Sequence, residues 1–314
     1  MIHWRTLQKD NFRDWKALAQ FLEIDPSKVV PSPFFPLNMP RRLAEKVEKG
    51  RLEDPILRQF LPTFEEEKIV EGFSRDPVSD RSFQKTPRLL QKYPGRALLI
   101  CTSACVMHCR FCFRQNYPYE GTNDFEEELS LIAQDPSLIE VILSGGDPLS
   151  LSDERLKDLI EGLEKIPHIK LLRFHTRFPI GIPERITEAF VNILKTSRLQ
   201  TVFILHTNHP RELDGDVFGA LQKIPGTLLS QTVLIKGVND SLETLKELFL
   251  TLSCQGIIPY YLHQLDRVKQ ASHFEVPIAE GLELIQKLRG CLPGYAVPTY
   301  VQEIPFENAK SIIT

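Results

Sequence analysis

From residue 96 onward the sequence repeats one unit, a short β-rich apolar run followed by a longer amphipathic segment, and that repetition limits the chain to α/β architectures built on a parallel sheet. The runs fall at 97–100, 140–143, 171–174, 201–205, 227–232 and 257–261, and the helical segments at 125–134, 152–165, 183–195, 212–223, 241–254 and 277–289. Six units are too few for a full eight-stranded barrel. In such sheets the chemistry gathers beyond the C-terminal strand ends. Every run here ends in polar or glycine-rich sequence: a cysteine loop, Ser144-Gly145-Gly146-Asp147, His175-Thr176-Arg177, His206-Thr207-Asn208-His209, Gln231 with Lys236, and His263 with Asp266. Together they predict a single site at one rim.

Residues 1–90 read as a mostly helical region. Phe12, Trp15, Leu18, Phe21 and Leu22 recur at helical spacing over 10–24. The prolines of 31–40 suit an extended connector over the surface, and a second helix is expected from Pro40 to Gly50, with another short one at 54–61.

Cys105, Cys109 and Cys112 place three thiols within one loop, close enough to wrap a 4Fe-4S cubane and leave one iron without a protein ligand. The alternative is a structural zinc site, which needs a fourth ligand. Cys101 is near enough to supply one, although it directly ends an apolar strand and is expected to point into the core. Bunching of four of the six cysteines between 101 and 112 argues against a disulfide framework and for a reducing, cytoplasmic location. Residues 1–9 mix Trp, Arg, Lys and Asp where a secretory signal needs an apolar stretch, and no later run approaches a membrane span. A formal charge of -3 gives no sign of a nucleic-acid partner.

The Cys-x3-Cys-x2-Cys loop after a first strand, with an aromatic residue before its last cysteine, resembles the radical S-adenosylmethionine (SAM) superfamily. Within it, the segments beginning at Arg96, Cys109, Ser144, His206, Lys236 and Gly294 are similar to lysine 2,3-aminomutases over residues 60–310, and the sequence from Tyr260 to His263 resembles their short bacterial branch, which acts in β-lysylation of elongation factor P. The resemblance implies a partial (β/α)6 TIM-like barrel of the radical SAM type at 91–292, after the helical N-terminal region 1–90 and before a short C-terminal segment, 293–314, that closes the site.

It also implies an isomerase that converts L-lysine to β-lysine with a 4Fe-4S cluster, SAM and pyridoxal 5'-phosphate (PLP). Cys105, Cys109 and Cys112 would hold the cluster; Gly145, Gly146, Asp147, His206 and Gln231 would contact SAM. Lys310 would be the catalytic lysine that carries PLP, with Tyr93, Arg96 and His263 beside that cofactor. Arg114 would clamp the substrate carboxylate, and Asp266 and Glu303 would receive the substrate ε-ammonium. The implied partners are an electron donor such as flavodoxin or ferredoxin and, through the pathway, elongation factor P and its ligase. A homo-oligomer is compatible with the sequence.

Several positions depart from the longer family members. No C-terminal zinc-binding cysteine cluster precedes Thr314, so no zinc is expected; Phe306-Glu307-Asn308-Ala309 replaces a glycine-rich run before Lys310, Glu303 replaces an aspartate, and His263 a tyrosine. Three other readings follow: a radical aminomutase acting on another amino acid, a paralogue that keeps the cluster but has lost PLP, and a non-enzymatic iron–sulfur or zinc module.

Overall fold

Phe174 and Phe203 stand opposite each other in neighbouring parallel strands with their rings stacked at 4.5 Å, and both meet Phe190 of the helix above edge-on. Alternate residues of β4 and β5 pack beneath helices in this way, while those between them point the other way. These relationships come from a computed structural model that describes residues 2–31, 33–120 and 124–314.

The elements run, in chain order, α1 (Trp4–Lys9), α2 (Trp15–Leu22), α3 (Arg41–Ala44), β1 (Leu89–Leu90), β2 (Arg96–Thr102), α4 (Glu126–Gln134), β3 (Glu140–Gly145), α5 (Asp153–Glu164), β4 (Leu171–Thr176), α6 (Phe178–Gly181), α7 (Glu188–Thr196), β5 (Gln200–His206), α8 (Gly215–Leu221), β6 (Thr227–Val233), α9 (Leu242–Cys254), β7 (Ile258–His263), α10 (Ile278–Arg289), β8 (Thr299–Gln302) and β9 (Ser311–Ile312). They form one mixed sheet in the order β1 to β9, parallel from β2 to β8 and closed at each edge by an antiparallel strand. Side-chain caps start the long helices: Ser152, Thr187, Asp214 and Ser241 accept from Arg155, Phe190, Val217 and Thr244 backbone N–H groups. All six expected strand–helix units are present. A seventh parallel strand, β8, follows the last helix, where the sequence reading had only a closing segment.

The sheet curls strongly. Strands β2 and β8 are six strand spacings apart, roughly 29 Å in a flat sheet, yet Tyr93 just before β2 donates a 2.6 Å hydrogen bond to Glu303 just after β8. The concave face is only half-buried and carries Arg96, Arg173, His175, His206, Gln231, Tyr261 and His263.

The N-terminal region departs from expectation. Its regular helices are shorter: 10–24 gives a helix only over α2, the helix expected from Pro40 to Gly50 stops at Ala44, and 54–61 gives a single 3-10 turn at Leu57–Gln59. The proline-rich passage is not a surface connector throughout, since Leu37, Asn38 and Met39 are buried; Ser32 in it lies outside the described residues. Extended backbone keeps its carbonyls free of internal partners, and those of Phe35, Pro36 and Asn38 accept from Arg110, His108 Nδ1 and the His108 N–H in the cysteine loop. No helix among the described residues is long and apolar enough to cross a membrane.

Candidate active site

The cysteine loop leaves the C-terminal end of β2 and is held mainly from the N-terminal side. Asn38 donates to the Cys105 carbonyl at 3.2 Å, Asn11 to that of Val106 at 2.7 Å, and the Arg110 N–H to that of Gln59 at 2.9 Å. The Arg110 side chain is buried in an ion pair with Glu66. Cys101 is turned into the core, 5% exposed, with its thiol pushed up to about 12 by burial, so the fourth thiol of the loop region is withdrawn from a shared metal site.

Burial also raises the thiols of Cys105, Cys109 and Cys112, the last to about 11. Among the described residues no three His, Cys, Asp or Glu side chains are already drawn together around a metal position. The donor set nonetheless suits an iron–sulfur cluster. Three cysteines on one loop match the ligand type and number that leave one iron of a 4Fe-4S cluster open, and metal binding completes the ordering of such a loop.

Gly145 and Gly146 fasten this loop. A Cβ on Gly146 would lie 2.2 Å from the Ala104 carbonyl oxygen, and one on Gly145, at φ +114°, would lie 2.8 Å from that of Thr102. In the space the missing side chains leave, the Gly146 and Asp147 N–H groups donate to Thr102 and Ala104 at 2.7 and 2.8 Å. The close approach predicted for a ligand is therefore made first by the cysteine loop's own backbone. The Asp147 carboxylate is likewise occupied within the protein, accepting from Leu149, Arg177 and Phe178 N–H groups and from the Thr176 hydroxyl at 2.8–3.0 Å. Its side chain braces the ends of β3 and β4.

His206 and Gln231 lie side by side in the β5–β6 register. The His206 ring meets Phe111, between Cys109 and Cys112, edge-on at 5.7 Å, and its Nε2 lies 3.2 Å from Asn208 Oδ1. Burial, reinforced by the Arg177 charge, pushes this imidazole down to about 3 and keeps it neutral.

A second group of charges gathers where the sheet edges meet. Lys310 pairs with Glu303, which also accepts from Tyr93 and, at 3.4 Å, from Lys92. Burial would raise the Glu303 carboxyl, but the Lys310 and Lys92 cations overrule it and hold it near 2. Asp266, in the field of the same lysine, is pushed up to about 7 by burial and by the Glu303 charge. Arg114 donates to Asp80 at 2.7 Å and to Ser144 at 3.2 Å, and Lys92 bridges Asp80 to Glu303. Arg96 lies 5.7 Å over the Tyr93 ring.

The sequence reading missed Asp80 and Lys92, which carry no local pattern, and His175, whose place in a polar strand end was its only signal. Burial drives both His175 and His263 well below the usual imidazole range, each also feels the Lys310 charge, and the Nε2 of each is buried without a hydrogen-bond partner. Orphaned buried nitrogens of this kind mark a place that a polar ligand completes. With a lysine, an arginine and a phenol alongside, the set suits an aldehyde cofactor bearing a phosphate.

No family model matches the chain. It is 39% identical, over 99% of its length and 95% of the other's, to a Haemophilus influenzae protein named L-lysine 2,3-aminomutase. It is 39% identical, over 98% and 93%, to an Escherichia coli protein of the same name. A radical SAM methyltransferase structure from Sphaerobacter thermophilus aligns with 68% of each chain at 18% identity and a TM-score of 0.49.

Proposed function

Because the chain belongs to the L-lysine 2,3-aminomutase family of radical SAM isomerases, we propose that it converts L-α-lysine to β-lysine by moving the amino group from C2 to C3. On this reading the curled sheet is the partial barrel of that superfamily, with 1–90 as an N-terminal region, 91–292 as the barrel and 293–314 as the segment that closes it. The observation that carries the reading is a continuous line of contact and field. His263 lies in the field of both Lys310 and His206, and the His206 ring meets Phe111 inside the cysteine loop at 5.7 Å.

Cys105, Cys109 and Cys112 would hold a 4Fe-4S cluster. The backbone of Gly145 to Asp147, His206 and Gln231 would face SAM, and Lys310, Tyr93, Arg96 and His263 would hold PLP. When bound, these groups supply a carbon-centred radical and a π system that carries the migrating nitrogen. Arg114, steered by Asp80 and Ser144, presents its guanidinium to the substrate carboxylate. Asp266 and Glu303 receive the ε-ammonium at the other end, so a substrate with a cationic side chain is favoured over an acidic one. His206 and His263 stay uncharged under physiological conditions, so they add hydrogen bonds without competing for that cation.

The reading extends to a cytoplasmic enzyme that draws electrons from a flavodoxin or ferredoxin and makes β-lysine for a ligase acting on elongation factor P; the sequence from Tyr260 to His263 supports that branch. The test is anaerobic reconstitution with iron, sulfide and PLP, followed by SAM, a reductant and L-lysine. β-Lysine is the expected product. Cleavage of SAM without β-lysine would leave the radical chemistry and remove the lysine and PLP assignments.

A further inference from the structure

Arg177, at the end of β4, donates from Nη1 to Cys109 Sγ at 2.9 Å. It is 5% exposed, and its guanidinium lies between the Phe60 and Phe111 rings at 5.3 and 5.8 Å. Its Nη2 donates to Gln59 Oε1 at 2.6 Å and to Glu212 Oε1 at 3.0 Å. Glu212 is itself fully buried and accepts from Gln59, the Thr207 hydroxyl and the Asn208 N–H. Asp147 fixes the Arg177 backbone.

This arrangement is hard to explain as scaffolding. Taking a guanidinium and a carboxylate out of water is expensive, and a buried ion pair is often no more stable than well-packed apolar residues of the same volume. A fork aimed at a cysteine sulfur has a different use. Hydrogen bonds to the sulfurs and the local net charge are among the variables that set the potential of an iron–sulfur cluster. The Arg177 Nε is also buried without a partner, so the guanidinium still has a donor to give.

We propose that Arg177 and Glu212 form the device that sets the reduction potential of the cluster on Cys105, Cys109 and Cys112, an inference that rests on the cluster assignment above. Arg177 lowers the electron density on the Cys109 sulfur and makes the cluster easier to reduce. Glu212 holds the fork in place and tempers its charge, so that the pair acts on the cluster as an oriented dipole. Both are positioning residues that act through Cys109.

The two halves of the pair predict opposite shifts, which a simple packing role would not produce. The experiment is an anaerobic redox titration of the reconstituted full-length enzyme, followed by EPR of the reduced cluster, with iron and sulfide counted in each sample. At the wild-type midpoint, Arg177→Gln should lower the reduced-to-oxidised ratio about tenfold, equivalent to ~59 mV for one electron, while Glu212→Gln should raise it. Shifts of the same sign, or an unmoved ratio in Glu212→Gln with its cluster intact, would overturn the proposal. If Arg177→Gln fails to hold a cluster, Glu212→Gln decides alone. A wild-type protein that builds no cluster would sink the cluster assignment and this inference together, whereas intact clusters of unchanged potential sink only the inference.

Discussion

Lys310 and Glu303 form an ion pair across the turn that joins β8 to β9, brought together by an antiparallel register that sets Val301 opposite Ile312 and Gln302 opposite Ser311. Because Tyr93 from the far edge of the sheet donates to the same carboxylate, the C-terminal lysine is tied into the site on both sides. Glu303 therefore has a cation partner before any substrate arrives. On the proposed reading, Lys310 would turn to the cofactor and leave that carboxylate to a substrate ammonium, so that one acidic group would serve two cations in succession.

Replacing Lys310 with alanine should cut β-lysine formation by about 100-fold or more, the scale of a lost acid–base or covalent group, while SAM cleavage continues. Borohydride reduction of the PLP-loaded wild type should leave one pyridoxyl mass on the peptide containing Lys310. The same label found on another lysine would move the cofactor assignment away from the C-terminal segment.

Asp266 predicts how lysine binding responds to pH. Its carboxyl is raised to about 7 from an ordinary 3.8, first by burial and then by the Glu303 charge. The carboxylate must be ionised to receive an ammonium that stays protonated throughout this range, so below pH 7 binding has to expel a proton. Affinity for L-lysine should tighten as pH rises, by up to about tenfold per unit below 7, and level off above it. Dissociation constants between pH 5.5 and 8.5 check this against Asp266→Asn, which should bind weakly with a flat profile. An unchanged slope in that variant would assign the titration to another group.

Much of this arrangement was legible in the sequence, and the reasons are local. The six apolar runs and their helices obey short-range periodicity, which is why 97–100, 171–174 and 201–205 match β2, β4 and β5 closely. β8 escaped notice because four residues after Pro298 show too little alternation to separate from a tail. Asp80, Lys92 and Glu212 have roles made by partners 30 or more residues away in sequence, such as Arg114, Glu303 and Arg177, and no local pattern encodes those. The glycine pair and Asp147 were recognisable as a strand-end turn. What the turn packs against, the cysteine-loop backbone, is visible only once the chain is folded.

Cys101 and Cys109 are eight residues apart in the order strand then loop, and they should behave differently. Cys109→Ala is expected to abolish cluster assembly and activity. Cys101→Ala removes a buried thiol that donates to the Leu99 carbonyl at 3.5 Å, and should keep a full complement of iron at a cost of about 1 kcal/mol in stability. Iron content and thermal unfolding of the two purified variants are the measurements. An active, iron-free Cys109→Ala would remove that residue from the cluster.

Glycines 146 and 219 offer a matched pair for the way the turn secures the cysteine loop. A methyl group at Gly146 would meet the Ala104 carbonyl at 2.2 Å and Ser103 backbone at 2.8 Å, where neither neighbour is a flexible side chain that can give way. At Gly219 in α8 nothing lies within 4 Å of the added carbon. Gly146→Ala should therefore push the 144–147 turn off the cysteine loop, break the Gly146 and Asp147 N–H bonds, and destabilise the fold by about 2–3 kcal/mol as an overpacking change. Cluster retention should fall with it, because the loop loses its support on that side. Gly219→Ala should stabilise α8 by about 0.5–1 kcal/mol through the lower helix propensity of glycine. Denaturant unfolding and iron content of both variants decide the matter: a Gly146→Ala protein as stable and as iron-rich as wild type would mean that the turn is not what holds the loop.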